Sequence, residues 1–465
     1  MGINLNLVLL SGGSGKRLWP LSNDARSKQF LKVLEDKNQL LESMVQRVWN
    51  QLKNVGLAES SVIATSKSQV DMIHSQLSNE ADLIVEPMRR DTFPAIALAA
   101  SYIYSVKKAS LDEVVAILPV DPYVDDAFFN RVKELERVVQ ESEAQLALIG
   151  VTPTYPSSKY GYIVPAEEKK ESKADYLSVN RFTEKPSEAA AADLIKHNAL
   201  WNCGVFAFKL EYVISILEAK GWPTDYEKLL KQYSTLPKIS FDYEVVEKTK
   251  DIVVLPYDGY WKDLGTWNTL TEEMGTVKIG KGVISEDSEG VHLINELDIP
   301  VTVLGASNLV VAVSPDGILV SDKESSPRIK ELVGEFDNRP MYEERRWGWY
   351  RVLDYTKLEE EKEVLTKRIG VAAGKNLSYQ LHDYRDEVWT IIKGEGELVL
   401  NDRLQMVKPG DVIKIAAGEK HAIKAISDME FIEVQTGSQL IEEDIVRLYM
   451  EWDAIQEHVL SVKEV

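Results

Sequence analysis

Apolar positions in the first part of the chain gather into short runs. Between them lie longer segments in which apolar residues recur every three to four positions. Residues 7–10, 61–64, 83–85 and 114–118 are runs of strand length, and residues 40–52, 66–77 and 95–107 carry the helical spacing. Strands alternating with helices predict an α/β layered domain with a mainly parallel sheet. Ligands of such sheets sit beyond the carboxyl ends of the strands. Past residue 277 the pattern changes. Short β-branched runs at 301–303, 309–313 and 317–320 are broken by Asn, Asp and Gly, which predicts a β-rich connector. Residues 322–346 are strongly charged and predict one short helix and a boundary. From Trp347 onward β-runs alternate with Gly turns, as in a small β-barrel, and residues 442–459 read as a closing helix. The expected units are 1–274, 275–335 and 336–465.

At 465 residues the chain is long enough for two or three domains, each with its own core. A net charge of −20 argues against nucleic acid as a partner, which needs a basic face; a nucleotide needs only a few local cations. The single cysteine, Cys203, rules out an internal disulfide and fits a reducing compartment. No apolar run reaches the length of a membrane span, and the first residues lead straight into a strand without a basic leader. We expect a cytoplasmic protein with no membrane partner, assembled as a homo-oligomer.

Candidate chemistry begins in residues 7–30, LVLLSGGSGKRLWPLSNDARSKQF. A buried strand runs into a loop with Gly12, Gly13 and Gly15, followed by Lys16, Arg17 and, further on, Lys28. Glycines let backbone N–H groups encircle phosphate oxygens, and the cations neutralise charge that amides cannot. Spacing excludes two commoner phosphate loops. Leu10 stands where a P-loop needs its first glycine, and Arg17 where it needs a hydroxyl. Leu18 stands where a dinucleotide fingerprint needs its third glycine. The pattern GGSGxRLWPLS…KQF resembles that of the sugar-nucleotide pyrophosphorylases, most closely the mannose-1-phosphate guanylyltransferases.

Further segments carry the same resemblance, in order, as far as Trp267. Residues 86–95, EPMRRDTFPA, resemble the family segment EPxxRNTAPA beside the nucleotide, which implies nucleotide contacts for Glu86, Arg90 and Asp91. Asp91 replaces the family's Asn and Phe93 its Ala. Asp91 reads equally well as the N-cap of a helix with Pro94 in its first turn. Residues 118–121, LPVD, resemble LPSDH with Pro122 in place of His, and residues 261–267, WKDLGTW, match WxDxGxW. The resemblance implies that Asp121 and Asp263 hold one Mg2+, an ion suited to two carboxylates and substrate phosphate oxygens. Residues 159–163 resemble the YGYI segment near the sugar, which implies a sugar contact at Gly161. Residues 182–186 match FxEKP, implying Glu184 for sugar hydroxyls and Lys185 for the sugar phosphate. Residues 201–206 resemble WNSGIF, implying Asn202 on sugar hydroxyls. Cys203 replaces Ser there; with no histidine near it in sequence, it reads as a small apolar filler.

The resemblance implies a Rossmann-like, GT-A-like nucleotidyltransferase with a mixed sheet, making GDP-mannose and pyrophosphate from GTP and mannose 1-phosphate. Two polyanions must meet, so catalysis should be positioning plus neutralisation of developing charge, with no covalent intermediate. Arg17 and Lys28 are expected on the triphosphate and Lys185 on the sugar phosphate. The residues alone reach only a phosphate-binding α/β enzyme with a candidate metal pair. A different base or hexose stays open, as does a non-enzymatic sugar-nucleotide sensor, although a binder has less need of the metal pair.

The last unit carries a second pattern. Gly374, Gln380, His382, Glu387 and Gly394 follow the spacing of the first cupin motif, with Gln for its first His. Gly410, Ala416, Gly418 and His421 follow the second, with Ala for Pro. Alternation puts residues 380 and 382 on one face of a strand. Gln380, His382, Glu387 and His421 then form an N/O set suited to Zn2+ or another divalent ion. The chain has six histidines, and two of them fall on ligand positions, which argues against chance surface residues. The unit resembles type II phosphomannose isomerases through residues 346–350, RWGWY, and 443–447, EDIVR. It departs at 382–389, HDYRDEVW, where histidines of HHHRAEHW are missing at 383, 384 and 388. It departs again at Ala454, where a basic residue is lost. An active isomerase and a structural or sensory metal-binding module are both left open.

Overall fold

The structure, a computed structural model, describes residues 5–463 apart from 14, 24, 79, 143, 167–173, 337–338, 359–361 and 442–443. The first part is built on a nine-stranded sheet. Strands Asp82–Glu86, Ser61–Ser66, Leu5–Ser11 and Val114–Pro119 lie side by side and parallel, and they contain the four apolar runs read from the sequence. The other half of the sheet corrects the expectation of a mainly parallel one. Leu200–Lys209 runs antiparallel to Val114–Pro119 and to Leu146–Val151 on its other side. Ile252–Tyr257 is parallel to Leu146–Val151, and Leu177–Thr183 and Tyr162–Pro165 close the edge in antiparallel order. Leu200–Lys209 is covered on both faces, so its apolar run carries no sign of direction. Alternate residues feed two cores: Leu7 and Leu9 pack on one side of the sheet, Val8 on the other.

Two helix starts also differ from the apolar spacing. The helix expected over 40–52 is Met44–Val55: Ser43 caps Gln46 N–H, and the Gln46 side chain accepts from Ser43 N–H. Leu41–Glu42 is instead a short strand paired with Leu34–Glu35. Residues expected to open the helix over 66–77 form a 3-10 turn, Lys67–Gln69, before Val70–Leu77. The third helix is Thr92–Ser105.

The connector winds as a short coil. Lys278–Ile279, His292–Asn295 and Leu309–Ser314 stack in parallel along one side, and Gly282–Ile284 pairs in parallel with Val301–Val303 along another. Gly317–Asp322 closes the coil antiparallel to Leu309–Ser314, and a short α-helix, Ile329–Val333, follows.

The last part packs a six-stranded sheet against a five-stranded one, with Leu365, Trp389, Leu398, Ile423 and Phe431 between them. The closing helix begins later than expected. Residues 442–443 lie outside the described residues, Val446–Tyr449 is a strand paired with Tyr379–Leu381, and the helix is Trp452–Lys463. Its apolar residues Ile455 and Val459 pack with Tyr379 and Val399. Among the described residues no helix is long and apolar enough to cross a membrane.

The first hairpin strand of this part, Tyr342–Arg345, lies against helix Val70–Leu77 of the first part. Arg345 Nη1 is 3.3 Å from Asp71 Oδ2, and Gln76 Nε2 donates to Glu344 Oε2 at 3.4 Å.

Candidate functional site

The glycine loop leaves strand Leu5–Ser11 at the carboxyl edge of the sheet. Gly12 and Gly13 are exposed, with open space around them. Gly13 has φ of +125°, a conformation glycine reaches without strain. A Cβ on Gly15 would come within 2.8 Å of Ser27 Cα, so glycine lets the loop fold back on itself. A chain of polar side chains then fixes the loop. Ser27 Oγ donates to Gly13 O at 3.0 Å, Gln69 Nε2 donates to Ser27 Oγ at 2.8 Å, and Ser11 Oγ donates to Gln69 Oε1 at 3.0 Å. Gln69 was invisible to motif reading because it lies far along the chain, in an unremarked 3-10 turn.

Asp121 follows strand Val114–Pro119. Asp263 ends strand Trp261–Asp263, which pairs antiparallel with Pro122–Val124 so that Asp263 lies across from Pro122. This small ribbon brings the two carboxylates onto one cation: Lys28 Nζ is 3.0 Å from Asp121 Oδ2 and 2.9 Å from Asp263 Oδ1. Lys28, expected on the triphosphate, is thus tied to the two expected metal ligands. Burial works to lower the Lys28 pKa, but Asp121 and Asp263 outweigh it and hold it raised. Burial likewise works against the Asp263 carboxylate, and Lys28, Arg17 and Lys159 keep its pKa below the ordinary value. Arg17 itself is exposed on the loop.

The sugar-side residues meet where three strands adjoin. A Cβ on Gly161 would collide with Glu184 Oε2, and Asn202 N–H donates to Gly161 O at 2.8 Å. Lys185 Nζ pairs with Glu184 Oε1 at 2.5 Å. Asn202 Nδ2 donates to Asp242 Oδ1 at 2.8 Å, while its own Oδ1 accepts from Gly204 N–H. Asp242 was missed in the sequence; burial and the neighbouring Glu184 push its pKa up to about 6. An isolated Asp after Phe241 carries no distinguishing spacing. Tyr160, Trp201 and Trp261 form an aromatic wall, with Tyr160 5.0 Å from Trp201 and 5.4 Å from Trp261.

The segment 86–95 divides. Glu86 is buried, and Tyr233 Oη donates to its Oε2 at 2.5 Å, so this carboxylate is engaged in the interior; burial raises its pKa. Arg90 Nη1 donates to Leu236 O at 2.7 Å. Asp91 accepts from Thr92 N–H as the N-cap of Thr92–Ser105, the capping reading of that position. Phe93 is fully buried. Cys203 is buried with its Sγ donating to Ile149 O, and burial pushes its thiol up to about 12, as fits a filler.

In the last part, His382, Glu387 and His421 offer ligand atoms that all lie within 4.8 Å of one another. His382 Nδ1 donates to Asp444 O and His421 Nδ1 to Glu419 O, so both rings turn Nε2 inward. His382 Nε2 is 3.2 Å from Glu387 Oε1, and His421 Nε2, buried without a hydrogen-bond partner, is 3.6 Å from Glu387 Oε2. Gln380 Nε2 lies 3.4 Å from His382 Nε2. Burial lowers both histidines to about 4, which keeps them neutral and able to coordinate. An unpartnered imidazole nitrogen facing a carboxylate fits a divalent cation. Arg385, Glu433 and Gln435 surround the cluster and were missed, since strand alternation alone does not mark them. Arg385 Nε donates to Glu387 Oε1 at 3.0 Å, and Trp389 Nε1 donates to Glu387 Oε2 at 3.1 Å.

The nucleotidyl transferase family matches residues 6–278, and the mannose-6-phosphate isomerase C-terminal family matches residues 338–450. An Escherichia coli mannose-1-phosphate guanylyltransferase is 30% identical over 479 residues, covering 95% of this chain and 98% of that protein. The chain belongs to the mannose-1-phosphate guanylyltransferase family. Another relative, the xanthan biosynthesis protein XanB of Xanthomonas campestris, is 31% identical over 95% of this chain and 97% of its own length. A crystal structure from Thermus thermophilus, described as a mannose-1-phosphate geranyltransferase, superposes with a TM-score of 0.59 at 28% identity, over 72% of this chain and 100% of that one. Pro122, which stands where the guanylyltransferase pattern has His, is the ribbon residue opposite Asp263.

Proposed function

We propose that the chain transfers a guanylyl group from GTP to mannose 1-phosphate, releasing pyrophosphate, and that its units divide at 1–274, 275–335 and 336–465. The observation that carries this reading is the convergence of Lys28, Asp121 and Asp263 at the sheet's carboxyl edge, in a chain that also joins Gly161, Glu184, Lys185 and Asn202. A sugar phosphate oxygen attacks the α-phosphorus, the bond to the β-phosphate oxygen breaks, and pyrophosphate leaves. Gly12, Gly13 and Gly15 shape the loop that receives the triphosphate, and Arg17 and Lys28 offset its charge. Lys185 holds the sugar phosphate, and Glu184 and Asn202 orient the sugar hydroxyls. Asp121 and Asp263 would hold Mg2+, which supplies charge neutralisation at the phosphates. Arg90 borders the nucleotide side, with Asp91 acting through the helix start it caps and Glu86 through its bond to Tyr233. The test is pyrophosphate release measured over four nucleoside triphosphates and several hexose 1-phosphates; GTP with mannose 1-phosphate should exceed every other pair.

Gln380, His382, Glu387 and His421 would hold Zn2+ or another divalent ion. His382 and Glu387 are each 2% exposed and His421 1%, and an enclosed cluster favours a metal that organises the barrel. Interconversion of mannose 6-phosphate and fructose 6-phosphate is the second reading, favoured by the match to the isomerase family over residues 338–450. A coupled assay with added zinc, cobalt or manganese separates the two.

A further inference from the structure

The turn that joins Leu309–Ser314 to Gly317–Asp322 reaches from the connector onto the segment between the glycine loop and Lys28. It grips that segment at three places. Ser314 Oγ donates to Pro20 O at 2.7 Å. Gly317 lies against the Trp19 ring, with which a Cβ there would collide. Asp316 Oδ2 accepts from Asn23 Nδ2 at 2.7 Å, while its Oδ1 accepts from Met341 N–H at 2.6 Å. A fourth hold comes from Glu296, just past strand His292–Asn295, whose carboxylate takes the buried Arg26 guanidinium at 2.8 Å.

Asp316 orders a whole turn through one amide. Asn23 Oδ1 accepts from Ala25 N–H at 2.9 Å and from Arg26 N–H at 2.7 Å, and Asn23 N–H donates to Arg26 O at 2.9 Å. These bonds close residues 23–26 into a tight turn. The two ends of an amide differ, one accepting and one donating. Two N–H groups of the turn require the oxygen, so the NH2 group must face outward, and the Asp316 carboxylate is its acceptor there. The chain leaves the turn straight into Ser27, whose hydroxyl donates to Gly13 O, and Lys28, whose ammonium bridges Asp121 and Asp263. Small displacements of a charged group at a phosphate cost rate, even when the change that causes them lies far from the reacting atoms.

We propose that Asp316 is a positioning residue for nucleotidyl transfer: through Asn23 it sets the 23–26 turn, and through that turn the placement of Ser27 and Lys28 at the triphosphate. This rests on the role given to Lys28 above. The transferase unit then does not complete its own site, since the group that orients Asn23 belongs to the connector.

Exchanging the two side chains tests this in the full chain. Asn23→Asp alone sets two carboxylates face to face. Asp316→Asn alone leaves one amide oxygen for two donors, Asn23 Nδ2 and Met341 N–H. With both changes every bond is remade. The carboxylate now at 23 accepts from Ala25 and Arg26 N–H and from the amide now at 316, whose oxygen keeps Met341 N–H, and net charge is unchanged. Each single variant should lower kcat/KM for GTP by about tenfold or more, with KM for mannose 1-phosphate within about twofold, and the exchange should recover kcat/KM to within about threefold of wild type. A merely structural contact would lower Tm and leave the constants for GTP alone, so Tm is read beside the kinetics. Single variants with wild-type constants, whatever their Tm, overturn the proposal. An exchange whose loss is the product of the two single losses overturns it as well. Should Asn23→Asp fail to fold, Asp316→Asn and the exchange still decide. Lys28→Ala, assayed alongside, separates the two readings. If it turns over like wild type, the role of Lys28 falls and the proposal with it; if it is inactive while the single variants are unimpaired, the proposal alone falls.

Discussion

Gly161 leaves the space that Glu184 fills: a Cβ there would collide with Glu184 Oε2. Gly161→Ala should displace Glu184 and, with it, the Lys185 ammonium bound to it. The expected result is a KM for the hexose 1-phosphate raised by about tenfold, with the KM for the triphosphate within twofold, read from steady-state pyrophosphate release. A variant with both constants unchanged would remove Glu184 from the sugar side.

Asp263→Ala should abolish transfer while the fold survives, because Lys28 keeps Asp121 as a partner. The loss should be several kcal/mol of transition-state stabilisation, of the order expected when a charge-neutralising metal ligand is removed. Turnover near wild type at saturating magnesium would falsify the assignment of this residue.

His382→Ala combined with His421→Ala should empty the barrel of metal, as measured by elemental analysis of the purified protein. The single Gln380→Ala variant should weaken binding less, since an amide oxygen is a poorer ligand than imidazole for this class of ion. A wild-type protein that takes up no divalent ion under any loading condition refutes the site.

Asp242 gives a pH dependence with a definite sign. Its folded pKa is raised from 3.8 to about 6, by burial first and then by Glu184. Between those values the folded state binds the extra proton, so stability falls as pH rises through the window and stays lower above it. Asp242→Asn keeps an oxygen for Asn202 and removes the buried charge. It should stabilise the protein by about 1–2 kcal/mol at pH 7.5, a figure discounted for residual solvent screening, and by little near pH 4. Thermal melts at the two pH values compare directly, and an equal shift at both contradicts the account.

The elements legible in the sequence were those with a local signature. Runs at 7–10, 61–64, 83–85 and 114–118 lie within the four parallel strands because each is covered on both faces and bounded by turns. The direction of Leu200–Lys209 was not legible, since a doubly buried strand reads the same either way. The start at Ser43 was set by a cap that apolar spacing does not register. At the site, Gly12, Gly13, Gly15, Lys28, Asp121 and Asp263 were readable as motifs, but the contact of Lys28 with both carboxylates was not. It depends on a two-stranded ribbon joining residues more than a hundred positions apart. Gln69 and Asp242 escaped because each acts through neighbours distant in the chain, and Arg385 because only the folded strand turns it back onto Glu387 two residues on.

The hairpin strand Tyr342–Arg345 has a consequence for how the molecule comes apart. It inserts Glu344 and Arg345 among Gln76, Lys32 and Asp71, so a barrel losing its order strips partners from the first part at the same moment. The halves are then not beads on a string. Heating should produce one calorimetric transition in place of two, and a chain truncated after residue 335 should melt earlier than the intact protein.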